Sequence, residues 1–314
     1  MEMILTIFYN LCMAYIYVIL FFFILFCDKI EKNFVKRVIF MRSNVIYYND
    51  EINDDFASTV KKVKPLPKNY SYINDHLYFR ILSFITYRMI ARPFAYLYVK
   101  IKFHVKIKNK KVLKKVKGGY LIYGNHTTLV GDAFMCNILS VKKRNYILTG
   151  KETNSLSMIL PLLKSIGSIP ITDNITSNID MIKCMKKRIE EKASITIFPE
   201  RHIWPYYTKI RPFSHQSFKY AYILNCPVFA ITTCYKKKLI GKKPRIELFV
   251  DGPFHPDKNL DKNKASVELR NSVYDIMKNR SEKESNYEYI KYVKVESNEG
   301  GSLWLELEFM GMEI

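Results

Sequence analysis

The stretch GGYLIYGNHTTLVGDAFM, from Gly118 to Met135, decides the reading of this chain. Tyr120 to Tyr123 is an apolar, β-prone run that stops at Gly124. Asn125-His126-Thr127-Thr128 then reads as a turn, followed by an apolar segment containing Asp132. A strand that delivers a histidine to a turn, with a carboxylate a few residues later at a helix start, is a common way to build a catalytic dyad. The carboxylate fixes the imidazole tautomer and stabilises the imidazolium, so the other nitrogen takes a proton from a hydroxyl. The same residues also fit a capping Asn, a loop His and a surface Asp, and the rest of the chain has to decide between the two.

Downstream, Tyr146 to Leu148 predicts a strand ending at Gly150-Lys151-Glu152, then a helix to Ser165 and a short strand over 167–171. Ile175, Ile179, Ile182 and Ile189 predict one face of the next helix, capped by Asn174 or Ser177. Ile195 to Phe198 predicts a strand that runs into Pro199-Glu200-Arg201-His202, and Pro227–Cys234 and Arg245–Val250 predict two more. Ser266 to Arg280 reads as a surface helix. Strands alternating with helices imply an α/β domain with a largely parallel mixed sheet flanked by helices, whose ligands gather at the carboxyl ends of the strands. His126, Lys151 and Glu200 all follow predicted strands.

Upstream, residues 100–117 hold nine lysines and no acid. Lys100, Lys102, His104, Lys106 and Lys108 alternate with Ile101, Phe103, Val105 and Ile107, which predicts a strand with one cationic face. Residues 76–102 predict a pair of helices broken at Pro93. Arg80, Arg88 and Arg92 share about a third of the helical wheel and leave a broad apolar face. Three arginines make spanning costly, so these helices are expected to lie on a membrane surface. Met3 to Cys27 is almost wholly apolar. At about 1.5 Å per residue it reaches roughly 37 Å, enough for a hydrocarbon core of about 30 Å. Lys29, Lys32, Lys36 and Arg37 follow it, which puts the remaining chain on the cytoplasmic face. The expected organisation is a transmembrane anchor (1–28), a linker (29–75), amphipathic docking helices (76–102), an α/β domain (103–294) and an acidic tail (295–314) with a late edge strand from Leu303 to Phe309.

Lys and Arg number 50 against 29 Asp and Glu, a formal charge of +21. That excess favours an anionic phospholipid surface, an acidic carrier protein or nucleic acid; no recognition helix or RNA-binding motif supports the last. The cysteines lack disulfide-framework and zinc spacing, and the six histidines show no metal-ligand spacing. A GxSxG elbow is absent.

Four blocks in order resemble the glycerolipid acyltransferase family, which includes glycerol-3-phosphate and lysophosphatidate acyltransferases. Asn125-His126 with Asp132 is similar to its first motif, Asn-His, four residues, Asp. Gly167 to Asp173 resembles the second, Phe198 to Ile203 the third (Phe-Pro-Glu-Gly-Thr-Arg), and Cys226 to Ala230 the fourth. The resemblance spans about residues 77–250. It implies transfer of a fatty acyl group from acyl-CoA or acyl-carrier protein, as co-substrate rather than cofactor, to the hydroxyl of a lysophospholipid, with lysophosphatidate to phosphatidate foremost. It implies His126 as base and Asp132 as its orienting partner. Asn125, Lys151, Glu200, Arg201 and Arg211 are implied on the substrate side, with Asn125 shaping the turn, Glu200 holding the loop and the cations meeting phosphate. The chain departs from the family in three places. Five residues, not four, separate His126 from Asp132, with Gly131 where the family has Asp; a glycine there allows the turn to bulge by one residue. Asp173 and Ile203 stand at arginine positions, and Arg201 replaces a glycine. The alternatives are the same chemistry on another lysolipid or a glycolipid, and a non-catalytic basic membrane scaffold.

Overall fold

The computed structural model describes residues 44–56, 63–67, 70–128, 130–139, 142–156 and 159–295. The expected anchor at 3–27 and the expected tail strand lie outside the described residues. Among the described residues no helix is long and apolar enough to cross a membrane.

In chain order the elements are β1 (Val45–Tyr48), α1 (Leu77–Ile85), α2 (Arg92–Lys102), β2 (Lys106–Lys108), β3 (Tyr120–Gly124), α3 (Gly131–Asn137), β4 (Asn145–Thr149), α4 (Leu160–Ser165), β5 (Ser168–Pro170), α5 (Ile175–Glu190), β6 (Ser194–Ile197), α6 (Lys219–Leu224), β7 (Val228–Lys236), β8 (Arg245–Phe254), α7 (Lys262–Glu284) and β9 (Lys291–Lys294). Seven strands form one mixed sheet in the order β2-β8-β7-β3-β6-β4-β5, parallel except where β7 meets β8. β3 lies at its centre, and successive side chains go to opposite faces. Tyr120 and Ile122 pack with Ala95, Val99, Met135 and Phe229, while Leu121 and Tyr123 pack with Met181, Met185, Phe218 and Val273. The first contact layer comes from α2 and α3, the second from α5, α6 and α7. The helix at 262–284 is therefore more than a surface helix: Leu269, Val273 and Met277 are buried.

Three sequence expectations change. The strand expected from Lys100 is helical as far as Lys102, and only 106–108 pairs in the sheet. Alternation predicted a strand, but Ala95 and Val99 reach the core only from helical spacing. Pro93 does not break the helix. Residues 86–91 form a π turn in which the Arg92 N–H donates to the Tyr87 carbonyl, and Pro93 falls in the first turn of α2. There its missing N–H costs little. On α5, capped as expected by the Asn174 side chain on the Ser177 N–H, the buried face is Met181, Cys184 and Met185, whereas Ile175 and Ile179 are exposed.

The expected linker also holds structure. β1 pairs in parallel with β9, from Val45 opposite Lys291 to Tyr48 opposite Lys294, as a separate two-stranded sheet. Residues 50–54 follow β1 as a tight turn in which Asp50 and Asp54 accept from backbone N–H groups. This strap lies against the loop after β6.

Candidate active site

β3 ends at Gly124, and the chain must turn away from the carboxyl edge of the sheet while remaining fixed to it. Asn125 does this. It is buried, its Oδ1 accepts from the Thr233 N–H at 2.8 Å and its Nδ2 donates to the Thr233 carbonyl at 3.2 Å. The amide is thus spent on joining β3 to β7. Expected at the substrate, Asn125 is a clasp between strands, consistent with a turn-shaping role.

His126 follows. Its Nδ1 lies 2.7 Å from Asp132 Oδ2, and its ring stacks on Phe198 at 4.4 Å between centroids. The side chain is 18% exposed, whereas that of Asp132 is 2% exposed. Asp132 Oδ2 also accepts from the Thr127 and Thr128 N–H groups at 2.8 and 3.0 Å, and Oδ1 accepts from the Thr128 hydroxyl at 2.6 Å. Three donors therefore fix the carboxylate before it meets the imidazole. The spacing that differs by one residue from the resembled motif still brings the two side chains together.

Gly131 makes this possible by its size rather than by an unusual backbone. Its φ is not positive, but a Cβ there would stand 2.6 Å from Thr128 Oγ1 and 2.9 Å from Phe103 Cε2. Those are the hydroxyl that binds Asp132 and a ring of the core. Gly131→Ala is expected to cost about 1–3 kcal/mol through overpacking and to lower the melting temperature, which calorimetry of the two proteins reads directly.

The loop after β6 grips the histidine through its backbone. The His126 N–H donates to Glu200 Oε2 at 3.0 Å, the Trp204 N–H donates to the His126 carbonyl at 3.1 Å, and the Tyr206 N–H donates to the Thr127 carbonyl at 2.9 Å. Tyr235 reaches across from β7, its hydroxyl 2.8 Å from Thr127 Oγ1. Glu200 is buried and its other oxygen accepts from the Arg211 N–H at 3.1 Å. Burial pushes its carboxyl above the ordinary value, opposed by the Arg211 guanidinium and by the two backbone donors.

Arg211 differs most from expectation. Implied as a cation for substrate phosphate, it has no exposed side-chain surface. Its guanidinium lies 3.5 Å from Glu200 Oε2, donates to the Glu200 carbonyl at 3.3 Å, to the Glu51 carbonyl at 3.4 Å and to the His202 carbonyl, and sits 5.0 Å from the Trp204 ring. The arginine neutralises Glu200 and laces the loop to the strap. Lys151 likewise stands apart from this network: it follows β4, with β6 between β4 and β3, and its ammonium lies 2.5 Å from the Asp173 carboxylate. Asp173 occupies a position where the resembled family has arginine.

Arg201 is exposed and its backbone is left-handed, with φ 68°. The loop thus keeps the conformation that suits a glycine while carrying a long cation. Next to it, His202 Nδ1 lies 3.3 Å from Asp55 Oδ2 of the strap.

Trp204 was not singled out by sequence reasoning. It is fully buried, stacks on Tyr292 of β9 at 4.9 Å, meets Tyr48, Phe56 and Tyr207 edge-on, and donates from Nε1 to the Asp54 carbonyl at 2.8 Å. The signal was a rare tryptophan within the 199–205 run and tyrosines clustered at 47–48 and 287–292. Cys136 lies below the dyad, and burial pushes its thiol far up, so it offers no thiolate. A small cavity behind Asp132, lined by Gly124, Met135, Phe198 and Leu248 among others, holds about one water and no acyl chain.

No curated protein sequence matches this chain. Among solved structures, the 1-acyl-sn-glycerophosphate (LPA) acyltransferase PlsC from Thermotoga maritima is similar at 16% identity and a TM-score of 0.46, over 66% of this chain and 86% of that one. The Euglena gracilis mitochondrial ATP synthase gives a TM-score of 0.13 at 13% identity, over 65% of this chain and 69% of that one. Both scores are too low to carry an argument. The family model described as Acyltransferase matches residues 104–233, the segment that holds β3, the His126–Asp132 pair and the Glu200 loop. That segment therefore carries an acyltransferase domain.

Proposed function

We propose that the protein moves a fatty acyl group from a thioester donor, acyl-CoA or acyl-carrier protein, to the hydroxyl of a lysophospholipid, most directly lysophosphatidate to phosphatidate. The observation that carries this reading is the 2.7 Å contact between His126 Nδ1 and an immobilised Asp132 carboxylate. Nδ1–H donates to Asp132, so Nε2 is the basic nitrogen. The acceptor hydroxyl gives its proton to Nε2 as its oxygen attacks the thioester carbonyl. The new C–O bond forms, the C–S bond breaks, and the imidazolium returns the proton to the leaving thiolate. Asp132 stabilises the imidazolium between those events. The buried thiol of Cys136 supports direct transfer over a covalent intermediate on the enzyme.

The reaction is proposed to take place at a membrane. The apolar run at 3–27 and its basic flank support an anchor with the domain on the cytoplasmic side. Leu77, Tyr78, Ile81, Phe84, Met89, Leu97 and Ile101 are exposed along the helical segment from α1 to α2, which supports docking on an anionic phospholipid surface.

Arg201 is the proposed partner of the acceptor's phosphate. Arg201→Gly isolates its side chain, because glycine adopts the left-handed backbone without strain. A charged hydrogen bond contributes about 1.5–3 kcal/mol, so the apparent Michaelis constant for lysophosphatidate is expected to rise by about ten- to a hundredfold, with kcat and melting temperature nearly unchanged. Equal use of a phosphate-free monoacylglycerol by the wild type would remove this assignment. The function itself is tested by mass spectrometry of products from the purified full chain, given both donor types and a panel of lysolipid and glycolipid acceptors. No acyl transfer to any acceptor would leave the scaffold alternative.

A further inference from the structure

We infer that the tip of the β7–β8 hairpin is a second membrane contact, inserted into an anionic phospholipid bilayer beside the active site. Residues 236–244 read Lys-Lys-Lys-Leu-Ile-Gly-Lys-Lys-Pro. Leu239 and Ile240 are 106% and 89% exposed, the two most exposed large apolar side chains among the described residues. Isolated exposed aliphatics are ordinary on a protein surface. Here two adjacent ones form an apex, with Lys237 and Lys238 on one side and Lys242 and Lys243 on the other.

The apex is held out on a fixed base. The Lys237 N–H donates to Asn286 Oδ1 at 3.1 Å, and Tyr287 donates from its hydroxyl to the Lys242 carbonyl at 2.8 Å. Lys236 pairs with Glu284 at 3.2 Å, and Pro244 is buried. Gly241 has φ 92° and open space where a Cβ would be, as a sharp turn at the tip requires.

Topology puts this tip where a lipid substrate arrives. β7 runs parallel to β3, so its carboxyl end and the hairpin lie on the sheet edge that presents His126. β2 runs parallel to β8, so the end of α2 reaches the same edge. The tip touches that region directly: Lys238 Nζ is 3.4 Å from His104 Nδ1, three residues beyond the exposed Ile101. The hairpin tip is therefore a neighbour of the end of α2, which carries the exposed Ile101.

The order of groups with height selects the partner. Apolar side chains come first and cations stand behind them on both arms, which matches acyl chains beneath a layer of anionic headgroups. An acidic protein would have to meet two bare aliphatics before it reached a lysine.

The inference rests on reading the acceptor as a membrane lipid, but its test does not depend on catalysis. Ile240→Cys, labelled with an environment-sensitive nitrobenzoxadiazole dye, is placed as the full chain in nanodiscs of phosphatidylcholine and phosphatidylglycerol. The parent chain, treated identically, is subtracted to remove signal from the native cysteines. A blue shift with quenching by doxyl-labelled lipid is expected, weaker in phosphatidylcholine alone. Emission as in water overturns the inference. So does a blue shift without doxyl quenching, which indicates a second copy, or one that needs added acyl-carrier protein. Acyl transfer is measured on the same discs: an inserted tip without transfer sinks the acyltransferase reading alone, and transfer with a water-like tip sinks this inference alone.

Discussion

His126→Ala is expected to lower acyl transfer by at least about a hundredfold, the lower range for loss of a positioned base. The melting temperature should change little, because the loop grips His126 through its N–H and carbonyl, which alanine retains. Only the partly exposed ring, its contact with Phe198 and one hydrogen bond to Asp132 are removed, and three donors remain on that carboxylate. Asp132→Asn is the less clean variant, since its amide must face donors in a buried site and stability would fall with activity. Turnover and calorimetry on one preparation of His126→Ala separate the readings. A scaffold predicts no loss of activity, and a histidine that merely shaped the turn predicts loss of both. Near-normal turnover in the alanine variant would end the proposed mechanism.

The second large effect is on stability. Arg211→Met should cost about 3–5 kcal/mol, as expected when one partner of a buried ion pair is removed. At roughly 2–4 °C per kcal/mol for a domain of this size, the melting temperature should fall by about 10 °C. The pH dependence gives the sign. Burial already holds the Glu200 carboxyl above its ordinary value, so its contribution to stability is greatest below the ordinary carboxylate range and is lost as pH rises through the folded value. Without Arg211 that value moves up further, and the deficit of the variant should shrink on acidification. Pairing it with Glu200→Gln should recover part of the loss. A raised Michaelis constant at unchanged melting temperature would instead make Arg211 a substrate ligand after all.

The central block could be read because its information is local. A β-prone run, a glycine stop and a histidine six residues before an aspartate lie within one strand, one turn and one helix start. The alternation from Lys100 to Lys108 misled because period two describes the side chains, while the buried Ala95 and Val99 upstream commit the chain to a helix as far as Lys102. Ile175 and Ile179 misled for a related reason: the sulfur-bearing residues of α5 face the core, and the isoleucines of its first turns do not. Arg211 could not be separated from a ligand by composition, because what encloses it is Glu51 and Trp204, one of them 160 residues away. The strap was hidden in the same way, since its pairing partner is β9.

That last pairing bears on how the protein comes to be active. β1 is among the first described elements to leave the ribosome and β9 is the last. Until Lys291 to Lys294 are made, Val45 to Tyr48 has no strand to join and Trp204 lacks the ring of Tyr292. The seven-stranded sheet contains neither strand, and a pairing across so long a stretch of chain is expected to form late in folding. The Trp204 end of the loop that grips His126 is thus completed by the last described strand, and truncation before Lys291 is expected to loosen that loop while leaving all seven strands of the central sheet in the chain.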